Sequence, residues 1–168
     1  LSHADVAGAP GGDRWPEGLV AHYVVTFGEA LALELGAVNE GSVDVTVEAA
    51  LHTYLRVADV RQVALEGAEG ASVLDQLTGR THTQDGAVVF DGEVDSIVHL
   101  EDAPLRLVSR DDAARSLLTL TREGSGDVVV WNPHIEKASA MGDVPDDAWP
   151  GFVCLETANV RDNAVTLA

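Results

Sequence analysis

The sequence predicts an all-β protein, a sandwich or barrel of antiparallel strands. Three observations lead there. Apolar residues recur with period two: Leu31, Leu33 and Leu35 alternate with Ala32, Glu34 and Gly36, the pattern of a strand with one wet face. About ten short apolar runs arrive at spacings of roughly 8–14 residues, with polar turns between them. Hydrophobic residues make up 46% of the chain, enough for a packed core and too many for a disordered polymer. The 168 residues fit one domain.

Taken in order, residues 1–14, "LSHADVAGAPGGDR", read as a flexible tail. They have neither the basic start nor the apolar stretch of a signal peptide. The first residue is Leu and the single methionine is Met141, as in a trimmed start or a piece of a longer chain. "LVAHYVVTF" (19–27) and "ALALELGAV" (30–38) flank "GE" with hairpin spacing. "NEGS" (39–42) is a turn, and "VDVTVEAAL" (43–51) alternates again. "ALHTYLRVAD" (50–59) fits a short helix or a strand, and "VRQVALEG" (60–67) a strand. A loop rich in Gly, Thr and Asp follows. Strands are then expected at "GAVVFDG" (86–92), "VDSIVHL" (94–100), "LRLVSR" (105–110), "SLLTLTRE" (116–123) and "DVVVWNP" (127–133). "RDDAARSLL" (110–118) is again helix or strand. The Pro- and Asp-rich segment 137–151 reads as a long surface loop with one helical turn, a length that is often functional. "GFVCLE" (151–156) and "NAVTLA" (163–168) close the chain as strands.

The formal net charge is -18, from 28 acidic and 10 basic residues. That argues against nucleic acid or an anionic membrane as partner, and an anionic ligand would need a local cluster of arginines. No apolar run approaches the ~18 residues of a membrane span. A lone cysteine, Cys154, excludes an internal disulfide and points to a reducing cytoplasm. None of the six histidines is spaced i, i+2 or i, i+4 from another, so no metal site is expected. There is no phosphate-cradling P-loop and no G-x-S-x-G.

Five places could carry chemistry. Cys154 sits in the apolar run Phe152–Leu155, where a thiol is packing rather than a nucleophile. Glu156 ends that run with no basic neighbour in sequence; either the strand has reached water there, or a carboxylate is held on rigid backbone for a purpose. Asp95, in "GEVDSIV", stands in the same way beside an apolar strand. His52 lies between Leu51 and Thr53, with Tyr54 on its own face if the segment is a strand. It is either a core histidine bonded to backbone or a general acid titrating near neutrality. Trp131 and Asn132 in "WNPHIEKA" are a ring and an amide of the kind that stack on and hydrogen-bond a sugar, although most tryptophans are core.

"EAALHTYL", "GEVDSIV", "VVVWNPHIEKASAMGDVPDD" and "FVCLETANV", in this order and at about these intervals, resemble the glucose-6-phosphate 1-epimerase family, the D-hexose-6-phosphate mutarotases related to aldose 1-epimerase. The resemblance runs from Trp15–Pro16 to the end. It implies a galactose mutarotase-like β-supersandwich of antiparallel sheets, here a partial one: residues 15–168 would be the C-terminal portion. It implies interconversion of the α and β anomers of a hexose 6-phosphate by ring opening, with no cofactor and no metal. His52 matches the family's general acid, Glu156 its general base and Asp95 the aspartate that holds sugar hydroxyls. The implied partner is a small sugar phosphate. Two positions depart from the family, which has aromatics where Leu55 and His134 stand, so a thinner stacking surface is expected. Family chains also extend well beyond this one at the N-terminus, with a further histidine and phosphate-gripping arginines there. The other reading is a non-catalytic carbohydrate-binding sandwich.

Overall fold

The computed structural model describes residues 1–100, 103–112 and 115–168. The first 14 residues, expected as a tail, hold one helical turn, α1 (His3–Val6), and a 3-10 turn at Gly12–Arg14. The Asp5 carboxylate accepts from the Ser2 amide at 2.7 Å and from its hydroxyl at 2.9 Å, closing the turn at its N-terminus.

β1 (Leu19–Phe27) and β2 (Leu31–Asn39) form a hairpin paired throughout, Leu19 opposite Asn39 and Phe27 opposite Leu31. The connection is three residues, 28–30, one longer than the expected "GE". The hairpin is a sheet of its own, with Tyr23, Phe27 and Leu31 exposed. The expected single strand over 43–51 is two: β3 (Val45–Val47) and β4 (Ala49–Leu51). Between them the Glu48 carboxylate turns aside to accept the Arg161 amide. The segment 50–59 resolves as strand, with β5 (Tyr54–Arg56) following β4. β6 (Val63–Glu66) begins only after a 3-10 turn, Val60–Gln62, capped by the Asp59 side chain.

β7 (Ser72–Asp75) and β8 (Arg80–Thr83) lie where a loop was expected. β9 (Val88–Val89), β10 (Val94–His99), β11 (Leu105–Ser109) and β12 (Ser116–Leu120) follow. Of the ambiguous segment 110–118, Ala113 and Ala114 lie outside the described residues, and Ser116 onward is strand. β13 (Asp127–Asn132) leads into α2 (His134–Ala140), longer and earlier than the single turn expected. A loop and a 3-10 turn at Trp149–Gly151 then feed β14 (Phe152–Asn159), and β15 (Val165–Leu167) pairs with β3.

Among the described residues all strand pairing is antiparallel. The central sheet runs β4/β5, β14, β13, β10, β7, β8, and a second sheet runs β12, β11, β6, β9. The two form a β-sandwich with the core between them. The central sheet supplies Val73, Val98, Val128, Val130, Val153 and Leu155; the second supplies Val63, Leu65, Leu105 and Leu107, with Phe90 completing the core. Period two sends the alternate residues of the central sheet to its other face. There Ile97, Val129 and Ala158 make a small second cluster. Beside them Asp127, fully buried, accepts from Asn163 Nδ2 at 2.9 Å and from the Val160 amide at 3.1 Å, and pairs with His99 Nδ1 at 2.6 Å. These bonds tie the turn at Arg161–Asn163 to the sheet and satisfy a group that is costly to bury alone. Among the described residues no helix is long and apolar enough to cross a membrane.

Candidate active site

β14 is the spine of the site. Val153 and Leu155 face the sandwich core, so Phe152, Cys154 and Glu156 share the opposite face. β4 and β5 pair with β14 in one continuous register, Leu51 opposite Thr157 and Tyr54 opposite Cys154. The two residues between them keep step: the Leu155 amide donates to Thr53 O at 3.3 Å, which sets His52 opposite Glu156. His52 Nε2 lies 3.2 Å from Glu156 Oε1, and their side chains are 49% and 7% exposed. An open imidazole thus stands over a sunken carboxylate. Burial pushes the Glu156 carboxyl above the usual carboxylate range; His52 pulls it back down and Asp95 pushes it up again.

Asp95, on β10, is opposite Trp131 of β13, which is opposite Cys154. It therefore shares the face of Glu156, two strands away. Its Oδ1 accepts from Gln76 Nε2 at 2.6 Å, and its carbonyl accepts the Gln76 amide. The structure thus brings all three candidate residues to one face, with His52 and Glu156 in direct contact.

Rings enclose the pair. Tyr54 stacks on His52 with centroids 4.9 Å apart and planes 17° from parallel. Trp131 meets His52 edge-on at 5.7 Å, and Phe152 packs on Tyr54 at 5.1 Å and on Trp131 at 5.9 Å. The Tyr54 phenol is raised, first by burial and then by neighbouring groups that include Asp143 and Glu156. Cys154 is fully buried, and burial followed by Glu156 pushes its thiol up to about 12, so it stays protonated and is no nucleophile. His52, Cys154 and Glu156 nonetheless offer a nitrogen, a sulfur and an oxygen within 4.8 Å of one another.

Several expectations need correcting in detail. Asn132 does not reach the site: its amide donates to Trp149 O and Phe152 O at 2.9 Å each and its oxygen accepts the His134 amide, so it fastens the loop. Leu55 packs against the core, so its departure from an aromatic does not thin the site's lining. His134 packs on Trp149 at 4.3 Å. Phe152 and Gln76 were missed; Phe152 was within reach, because it is four residues before Glu156 on a strand. A cavity of about 470 Å³ opens elsewhere, on the far side of β5, lined by Leu55, Val57, Val63, Leu107 and Leu118 with Arg56 and Arg115. None of His52, Glu156 or Asp95 lines it.

The family model described as aldose 1-epimerase matches residues 2–168. The chain belongs to the aldose 1-epimerase family. Among similar proteins, a candidate glucose-6-phosphate 1-epimerase of Cenchrus ciliaris is 40% identical over 114 residues, which is 67% of this chain and 34% of that one. One of Escherichia coli K12 is 31% identical over 148 residues, 86% of this chain and 47% of that one. The crystal structure of a candidate mutarotase, YeaD of Salmonella typhimurium, superposes with a TM-score of 0.76 at 25% identity, covering 94% of this chain and 50% of that chain. This aldose 1-epimerase family chain therefore spans between a third and about half the length of the relatives it matches.

Proposed function

We propose that the intact protein interconverts the anomers of a hexose 6-phosphate, with residues 15–168 as the C-terminal portion of its mutarotase domain. The observation that carries this is the 3.2 Å contact of His52 with Glu156. Anomer exchange moves two protons on oxygens attached to the same carbon, so its acid and base have to stand side by side. Glu156 as carboxylate takes the proton of the C1 hydroxyl. His52 as imidazolium gives a proton to the ring oxygen. The C1–O5 bond breaks, the aldehyde end rotates, and the reverse transfers close the ring on its other face. Each proton transfer by a placed group contributes about 10²–10⁴-fold.

The environment suits these roles. A desolvated carboxylate is a stronger base than one in water, and Glu156 is nearly buried while His52 keeps access to solvent. In the free site the two groups lie against each other, and the sugar's two oxygens replace that contact. Asp95, its Oδ1 fixed by Gln76, has a second oxygen to accept from ring hydroxyls. Trp131, Tyr54 and Phe152 offer apolar faces to the pyranose. The choice of a 6-phosphate rests on the relatives' names. A cytoplasmic location belongs to the same proposal and rests on the free, buried Cys154.

Calorimetric titration of the natural-length protein with glucose 6-phosphate, run beside an anomerisation assay, tests the proposal. Binding with accelerated exchange supports it. Binding without acceleration would instead make the protein a carbohydrate-binding sandwich.

A further inference from the structure

We propose that the His52–Glu156 pair, joined by Cys154, is also an inhibitory site for a divalent cation of the zinc class. The three donors are an imidazole nitrogen, a thiol sulfur and a carboxylate oxygen, all within 4.8 Å of one another. That set selects borderline-soft ions over magnesium or calcium, which want oxygen alone. Three protein donors leave a fourth tetrahedral position open to water or a sugar hydroxyl, as in zinc sites that exchange a ligand.

The distances are close to what an ion requires. Zinc bonds of about 2.0–2.3 Å in a tetrahedron put donor atoms roughly 3.3–3.8 Å apart. His52 and Glu156 already stand at 3.2 Å, so only the contacts to sulfur have to tighten, by at most about 1–1.5 Å. Cys154 and Glu156 are fixed, as positions i and i+2 of β14 in the middle of the central sheet. His52 is half-exposed and lies in the break between β4 and β5, so it is the donor free to adjust. Among the described residues the thiol has no hydrogen-bond partner that a metal would have to displace.

Binding exchanges the thiol proton for the metal: the S–H bond breaks, a sulfur–metal bond forms, and the proton leaves to solvent. The ion then occupies the Glu156 oxygen and the His52 nitrogen that anomer exchange needs. The inhibitory half of this inference rests on the proposed function; the binding half does not.

Cobalt(II) tests the binding directly, because a thiolate ligand gives an intense near-ultraviolet charge-transfer band, and this chain has one cysteine. The expected result is that band on adding cobalt, its loss on adding zinc, and its absence in Cys154→Ser. Zinc affinity, measured by competition with a chelating dye, should fall by at least roughly 10–100-fold in His52→Ala and in Glu156→Gln, no less than removing an outer-shell partner costs. The wild-type spectrum needs no variant to fold. A cobalt complex without the band, or zinc binding unchanged in His52→Ala, overturns the inference. The band without any accelerated exchange supports the metal site and sinks the mutarotase reading; accelerated exchange without the band does the reverse.

Discussion

Along β14, Val153 and Leu155 face one way and Cys154 and Glu156 the other, and the two faces of the central sheet differ in every respect that matters. The inner face is dry: Val128, Val130, Val153 and Leu155 are at most 1% exposed and belong to the main hydrophobic core. Around the site the outer face carries the carboxylates of Glu156 and Asp95, the His52 imidazole, a thiol and three aromatic rings. The same backbone and the same hydrogen bonds hold both. A strand that is a core wall on one side is the stiffest mount available for reactive groups on the other. The contrast also explains the basicity of Glu156. Its cross-strand neighbour on β13 is Val129, and Cys154 precedes it by two on β14, so those two strands flank the carboxylate with a valine and a buried thiol.

If the two faces divide stability from chemistry, substitutions on them should separate cleanly. The largest effect belongs to Glu156→Gln: anomer exchange by proton NMR saturation transfer should slow by about 10²–10⁴-fold. Its melting temperature at neutral pH should hold or rise. A carboxyl whose folded pKa lies above its unfolded one adds most to stability below the unfolded pKa, and that contribution is lost as pH rises through the folded pKa. Gln has no such loss. A large fall in melting temperature would show that Glu156 is structural.

Next comes Leu155→Ala, one residue away and facing inward. It should cost about 2–5 kcal/mol in urea unfolding through lost burial and a cavity, while the folded fraction keeps its rate. A loss of turnover with stability intact would break the division. The smallest effect is Val129→Thr, which sets a hydroxyl beside the Glu156 carboxylate. One hydrogen bond of about 1 kcal/mol to the charged form should lower its pKa by roughly half to one unit. The acid limb of the rate profile, where the base becomes protonated, should then move to lower pH by that amount. A shift to higher pH would mean that the carboxylate is not the titrating base.

The inner face was the more legible one in the sequence. Apolar runs mark β10, β13 and β14 directly, because a face packed on a core has to be apolar; the period-two run of β2 marks a strand, but its hairpin is a sheet of its own with Leu31 and Leu35 exposed. β8, "RTHT", is an exposed edge strand with no core face to signal it, and so read as loop. The break at Glu48 was hidden for another reason: it depends on Arg161, far along the chain. On the outer face, the residue types of His52, Asp95 and Glu156 were visible but their proximity was not. His52 and Glu156 are 104 positions apart, and only the register of β4 and β5 on β14 sets them side by side. Asn132 shows the converse, since its amide suggests a sugar ligand while its place in the strand sends it to the loop.

The central claim is that this register makes one catalytic unit of two residues. The most direct test is a double-substitution cycle in the natural-length protein, with exchange rates measured for His52→Gln, Glu156→Gln and both together. Groups acting on one transition state are strongly non-additive. The account predicts a double variant about as slow as the slower single one. A double variant whose loss equals the product of the two single losses would show two independent residues and contradict it.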